Sequence, residues 1–162
     1  MTTQTNPEAL LETAVAAAQA GAMHAAANFA RRREVFARTR HDVKLQLDIE
    51  CQAKAESVIR AAYPDHAIMG EEDPAGTRDE VQSPGITWVI DPIDGTVNFS
   101  HGYPLWCCSV AATLRNETLA GAVCAPALNE LHAATRDGPA LCNGKALCVS
   151  EVSVLREAIV LT

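Results

Sequence analysis

The segment Trp88-Val89-Ile90-Asp91-Pro92-Ile93-Asp94-Gly95-Thr96-Val97-Asn98-Phe99 constrains the fold more than any other part of the chain. It begins as an apolar run that reads as a buried strand, and the run ends on two carboxylates three residues apart. Acids so placed repel each other, and burying them uncompensated is costly. Either one takes a proton or both bind a cation. Cation binding keeps both charged and makes chemistry on a phosphate ester the first hypothesis.

Such a strand needs a core around it. The 162 residues suit a single domain of ordinary size, with 48% hydrophobic and 20% charged residues marking a globular chain. Aromatics make up only 4%, so the core must be built from Ala, Val, Leu and Ile. The first residues lack the basic and apolar segments of a secretory signal, and no apolar run has the length of a bilayer span. A cytoplasmic location without membrane association is expected. The net charge of −7 argues against nucleic acid as a partner. It leaves room for a small phosphorylated ligand, because bound divalent cations reverse the local field. The six cysteines show no CxxC spacing and no neighbouring His in a zinc pattern, so reduced thiols are expected rather than disulfides or a zinc site. The five histidines show no ligand spacing either and read as surface or satisfied residues.

Asn6-Pro7-Glu8 is a helix start, and Leu11, Val15, Ala18, Ala22, Ala25 and Phe29 continue it as one apolar stripe. Gly21 weakens this helix locally without ending it. Arg31-Arg32-Arg33 reads as its solvated C-terminal end. A second helix is predicted over 47–62, stopped by Tyr63-Pro64. A short strand at 67–69 runs into Gly70-Glu71-Glu72-Asp73, and 74–85 reads as a surface loop. Gly95 to Asn98 opens a helical turn. Strands at 107–114 and 119–125 are joined by the polar turn 115–118, and 126–129 turns again into a strand at 130–135. Asp137-Gly138 and Asn143-Gly144 supply two further turns. The predicted class is α+β, with two long helices packed on an antiparallel sheet.

Glu71, Glu72, Asp91 and Asp94 all fall at predicted strand ends, so two neighbouring strands would gather them at one edge. Magnesium suits such a site, since it takes hard oxygen ligands, including a backbone carbonyl, and keeps several waters. Two ions roughly 3.5–4 Å apart can polarise a phosphoryl group and activate water. The N–H groups of Gly95 and Thr96 would face the phosphate. Taken singly, each feature has a plainer reading: Glu71-Glu72-Asp73 as a solvated acidic turn, Asp91-Pro92 as a turn start, Asp94 and Asn98 as caps. Asp48 stands at a helix start and is a good cap with or without a second role.

The segment 88–99, preceded by Gly70-Glu71-Glu72, resembles the inositol monophosphatase family of magnesium-dependent, lithium-sensitive phosphatases. Asp42 and Asp48, Tyr63-Pro64 and Cys142-Asn143-Gly144 extend the resemblance from about residue 38 to the end. It implies the N-terminal part of a layered α/β/α/β/α fold. Glu71, Asp91, Asp94 and the Ile93 carbonyl would bind metal, two or three Mg2+ ions per complete site, with Glu72 supporting them from behind. Asp48, Thr96 and Glu71 would be the catalytic group, Asp48 and Thr96 orienting or deprotonating the attacking water. Asp94, Gly95 and Thr96 would contact the substrate, an inositol monophosphate or similar small polyol phosphate. The implied route is direct in-line displacement by water without a phosphoenzyme, in keeping with the absence of a standout Ser, Cys or His nucleophile motif.

Two departures stand out. Lys44-Leu45 replaces the Val-Thr usual between the family's upstream Asp pair. The family also has a C-terminal α/β domain with a Trp-Asp motif, whereas this chain ends on the apolar run 158–162, which reads as a strand. Residues 1–152 are therefore expected to form the metal-binding domain and 153–162 to begin the second one. A fragment poorly active alone, and a homodimer when complete, are the corresponding expectations. Fructose-1,6-bisphosphatase, bisphosphate nucleotidase and histidinol phosphatase activities are alternatives within the superfamily. A non-catalytic metal-binding or oligomerisation module is the alternative outside it.

Overall fold

The structure, a computed structural model, describes residues 6–38, 43–74, 85–115 and 117–159. Asp42, the interior of the 74–85 loop, Asn116 of the hairpin turn and residues 160–162 lie outside the described residues. The chain folds as α+β, with two long helices on one face of a sheet.

Helix α1 (Pro7–Ala27) starts where expected. The Asn6 side chain accepts the Glu8 N–H at 3.1 Å, and Pro7 occupies the first helical position, where no N–H is needed. Its buried face is Leu10, Ala14, Ala17, Ala18, Gly21, Ala22 and Ala25. This face is rotated from the predicted stripe, for Leu11 and Val15 lie only half-buried at its margin. Small side chains occupy the centre because a second helix and the sheet both press against it. Helix α2 (Gln46–Ala62) stops at Tyr63 as Pro64 requires. Between the helices, β1 (Val35–Arg38) and β2 (Val43–Leu45) form an antiparallel ribbon that the periodicity did not predict. It delivers Lys44 and Leu45 to the start of α2.

Seven strands make the main sheet, in the order β3 (Ala67–Gly70), β4 (Thr87–Asp94), β5 (Cys107–Leu114), β6 (Glu117–Ala125), β7 (Glu130–Thr135), β8 (Leu141–Cys142) and β9 (Lys145–Ala146). From β4 onward it is the predicted antiparallel meander, but β3 joins β4 in parallel register, Gly70 beside Ile90. Alternate residues Trp88, Ile90, Cys108, Val110, Ala120, Ala122 and Cys124 face α1 and α2 and form the main core. A smaller cluster of Leu45, Leu47, Cys51, Ile93, Phe99 and Trp106 lies beneath the strand ends. Phe99 stacks edge-on against Trp106 there, at 4.8 Å between ring centres.

The predicted apolar strand at 158–162 is not among the described elements. Leu155–Glu157 forms a 3-10 turn, and Ala158 and Ile159 lie in no strand. All six cysteines are free thiols.

Candidate metal centre

Parallel pairing of β3 and β4 decides the location of the site. Two strands running the same way end at the same edge, so the residues that follow them meet there. The ladder continues one step beyond Gly70, where the Glu71 N–H donates to the Ile90 carbonyl at 3.0 Å. Glu71 thereby stands against Asp91, and their side chains are hydrogen-bonded.

In a regular strand, residues three apart point to opposite faces. Asp91 and Asp94 escape this because β4 carries a bulge between them: Asp91 pairs with Ser109 and Asp94 with Cys107. Ser109 and Cys107 are two apart on β5 and share a face, and so do the two carboxylates. Pro92, which cannot donate to a ladder, sits in the bulge, and Ile93 sends its side chain into the smaller core.

Gly95 follows in a left-handed conformation with φ +86°, and a β-carbon on it would stand 2.8 Å from the Leu105 carbonyl oxygen. This turn launches α3 (Thr96–His101). The Thr96 hydroxyl donates to the Ile93 carbonyl at 2.9 Å, leaving that oxygen a second lone pair. Asn98 caps no helix; its amide donates to the Leu105 carbonyl at 2.8 Å and ties α3 to the approach of β5.

Asp48 is buried at the third position of α2, where its Oδ2 accepts the Leu45 N–H at 2.6 Å. It is therefore a cap, as its position suggested, but Oδ1 is buried without a hydrogen-bond partner. Asp48 and Thr96 are not hydrogen-bonded to each other, each being engaged with its own backbone turn.

The acidic turn after β3 is anchored rather than solvated. Gln52, buried one helical turn beyond Asp48, accepts the Glu72 N–H at 3.0 Å and donates to Asp73 Oδ1 at 2.8 Å and Glu56 Oε1 at 2.9 Å. Asp73 in turn accepts the Gly70 N–H at 2.8 Å. The Glu72 side chain is only 8% exposed and pairs with Lys44 at 2.9 Å. Lys44, the departure from the family pattern, thus neutralises the buried acid behind the site. Gln52 was not singled out from the sequence, although its spacing of four from Asp48 puts both on one helix face.

The electrostatics follow from this crowding. Burial pushes the Asp91 carboxyl up to about 8, with the charge and hydrogen bond of Glu71 next in effect and then the charge of Asp94. Burial likewise pushes Asp48 up to about 7; the Leu45 N–H opposes the rise and the charges of Glu72 and Glu71 add to it. Cys107, 3.8 Å from Asp94 Oδ2, is pushed up to about 12 by burial and by the Asp94 charge. It is no thiolate nucleophile at neutral pH. Asp91 Oδ1, like Asp48 Oδ1, is buried without a partner. Glu71 and Asp94 are exposed. One ligand oxygen from each of Glu71, Asp91 and Asp94 does not fall within a single 4.8 Å cluster. Two orphaned buried oxygens, clustered acids and an adjacent carbonyl make a donor set that fits a hard divalent cation.

A family model described as the inositol monophosphatase family matches residues 6–162, extending the likeness back through α1. An inositol monophosphatase of Dictyostelium discoideum is 41% identical over 116 residues, covering 68% of this chain and 42% of that protein. A fructose-1,6-bisphosphatase/inositol-1-monophosphatase of Thermotoga maritima is 39% identical over 118 residues, covering 73% and 44% respectively. Among solved structures, an inositol monophosphatase from Anabaena matches with a TM-score of 0.75 at 27% identity, covering 92% of this chain and 52% of that one. The chain spans about half the length of the curated relatives it matches.

Proposed function

Because this chain belongs to the inositol monophosphatase family, we propose that it carries the N-terminal share of the active site of a magnesium-dependent phosphomonoesterase. The substrate is inositol monophosphate or a similar small polyol phosphate, and the whole protein works as a homodimer. The observation that carries this reading is the gathering of Glu71, Asp91 and Asp94 at one sheet edge beside the turn into α3.

Glu71, Asp91, Asp94 and the Ile93 carbonyl hold the ions, with Glu72 and Gln52 keeping the acidic turn in place. Magnesium, when bound, supplies positive charge that polarises the phosphoryl group and makes water a better nucleophile. The backbone N–H groups of Gly95 and Thr96 receive phosphate oxygens. Asp48, with a proton affinity near neutrality, accepts the proton of the attacking water, and the Thr96 hydroxyl orients that water. No covalent enzyme intermediate is needed.

Phosphate release from inositol 1-phosphate tests the proposal. Release that requires Mg2+ and is lost in Asp94→Asn supports it; a protein whose melting is insensitive to Mg2+ and which releases no phosphate overturns it. The 39% identity to the Thermotoga maritima protein favours fructose 1,6-bisphosphate as a second substrate to assay.

A further inference from the structure

The geometry points to a second metal site on this chain, built by Glu130, His132 and Cys142 and suited to zinc. It is independent of the phosphatase reading. His132 on β7 and Cys142 on β8 are direct cross-strand partners, so their side chains leave the sheet on one face. Glu130 precedes His132 by two residues and shares that face. The three potential ligand atoms lie within 4.8 Å of one another. His132 Nε2 stands 3.1 Å from Glu130 Oε2 and 3.8 Å from Cys142 Sγ. Ligands around a four-coordinate zinc, bonded at about 2.0–2.3 Å, are about 3.3–3.8 Å apart. The cluster therefore needs only small side-chain adjustments to close on an ion.

The backbone beneath is already braced. Asn143, next to Cys142 and in a left-handed turn, is hydrogen-bonded to β7 and its approach three times. Its Oδ1 accepts the Leu131 N–H at 2.9 Å, its amide donates to the Asn129 carbonyl at 2.9 Å, and its own N–H donates to the Leu131 carbonyl at 2.8 Å. All three ligand residues are half-exposed, which leaves the fourth position to water and gives an ion a way in.

The ligand chemistry separates the two centres. Thiol, imidazole and one carboxylate favour zinc and similar borderline ions, whereas the carboxylates at the β3–β4 edge favour magnesium. They are also apart in space: Asp91, Ser109, Val123 and His132 form one row of paired residues across β4 to β7. Three strand spacings put the centres about 14 Å apart.

Cobalt titration of the protein in saturating Mg2+ tests the proposal, because a cobalt–thiolate bond absorbs in the near ultraviolet. One equivalent of Co2+ should produce that band together with the strong visible absorption of a four-coordinate ion, and one equivalent of Zn2+ should abolish both. Cys142→Ser should remove the thiolate band and weaken Zn2+ binding at least about tenfold. Cys148→Ser, at an exposed cysteine, should change neither. His132→Gln, which keeps the thiol, should weaken Zn2+ to the same degree and serves as the reading should Cys142→Ser fail to fold. A thiolate band that survives Cys142→Ser, wild-type zinc affinity in His132→Gln, or no cobalt bound at one equivalent would overturn the proposal.

Discussion

The Glu71 N–H donates to the Ile90 carbonyl at 3.0 Å, one rung past the last paired residue of β3. That rung fixes the distance between the two halves of the acidic cluster. Had β3 run antiparallel to β4, Glu71 would lie at the opposite end of the strand from Asp91. The parallel direction creates a site where two carboxyl groups compete for protons, and several measurable consequences follow from it.

Asp48 and Asp91 hold their protons more tightly in the folded chain than an ordinary carboxylate does. Between about pH 4 and about pH 8 these two carboxyls thus bind more protons in the folded than in the unfolded state, and they make stability fall as pH rises through that window. They outweigh the opposing contribution of His66, which burial holds below the ordinary imidazole range. Glu50, held down to about 2 by Arg31 and His24, acts below that window. The melting temperature without added metal should fall from about pH 5 to about pH 8, and Mg2+ should reduce that fall by replacing the protons. A melting temperature that climbs across this range without metal would contradict the assignment.

Gln52→Ala removes the group that joins Glu72, Asp73 and Glu56. Unpairing these polar partners should cost about 1–3 kcal/mol. Because the turn that presents Glu71 loses its anchor, Mg2+ affinity should drop about 10- to 100-fold, as for other groups that orient metal ligands. Gly70→Ala should give the same pair of defects, since its β-carbon would overlap the Gln52 carboxamide. Calorimetric Mg2+ titration and urea melts read both; unchanged affinity in Gln52→Ala refutes the anchoring role.

Gly95→Ala forces a side chain into a left-handed backbone and against the Leu105 carbonyl. The expected loss is about 1–3 kcal/mol of stability. If the Gly95 and Thr96 N–H groups receive phosphate, inhibition by inorganic phosphate should weaken along with turnover. Wild-type phosphate inhibition in this variant would remove the turn from the binding site.

Trp88 is fully buried, and its indole N–H donates to His66 Nδ1 at 3.0 Å. Trp88→Ala should cost about 3–5 kcal/mol through the cavity it leaves. Trp88→Phe keeps most of the packing but leaves His66 Nδ1 without its indole donor, and should cost about 1–2 kcal/mol. Equal losses in the two variants, measured by chemical denaturation, would show that the hydrogen bond rather than the packing dominates.

The sequence by itself determined the local structure. Asn6-Pro7 set the start of α1 and Tyr63-Pro64 the end of α2, because caps and proline act within a few residues. The strands Cys107–Leu114 and Glu130–Thr135 were legible from alternation between turn signals. The position of the acids at strand ends was legible in the same way. The β1–β2 ribbon was not, since short strands carry little periodicity of their own. The rotation of the buried face of α1 onto Leu10 and Ala14 was also hidden, because alanines lie on every side of that helix and the stripe through Leu11 and Val15 is only one of the apolar faces it offers.

Only the tertiary structure decided which of these pieces meet. Alternation tells which residues share a face of a strand, but it carries no information on which strand lies alongside or in which direction it runs. The parallel entry of β3, the Gln52 anchor and the pairing of His132 with Cys142 all depend on such neighbours. The bulge goes further and reverses a local expectation. Three residues of separation should have turned Asp91 and Asp94 apart, and the pairing of β4 with β5 turned them to one side.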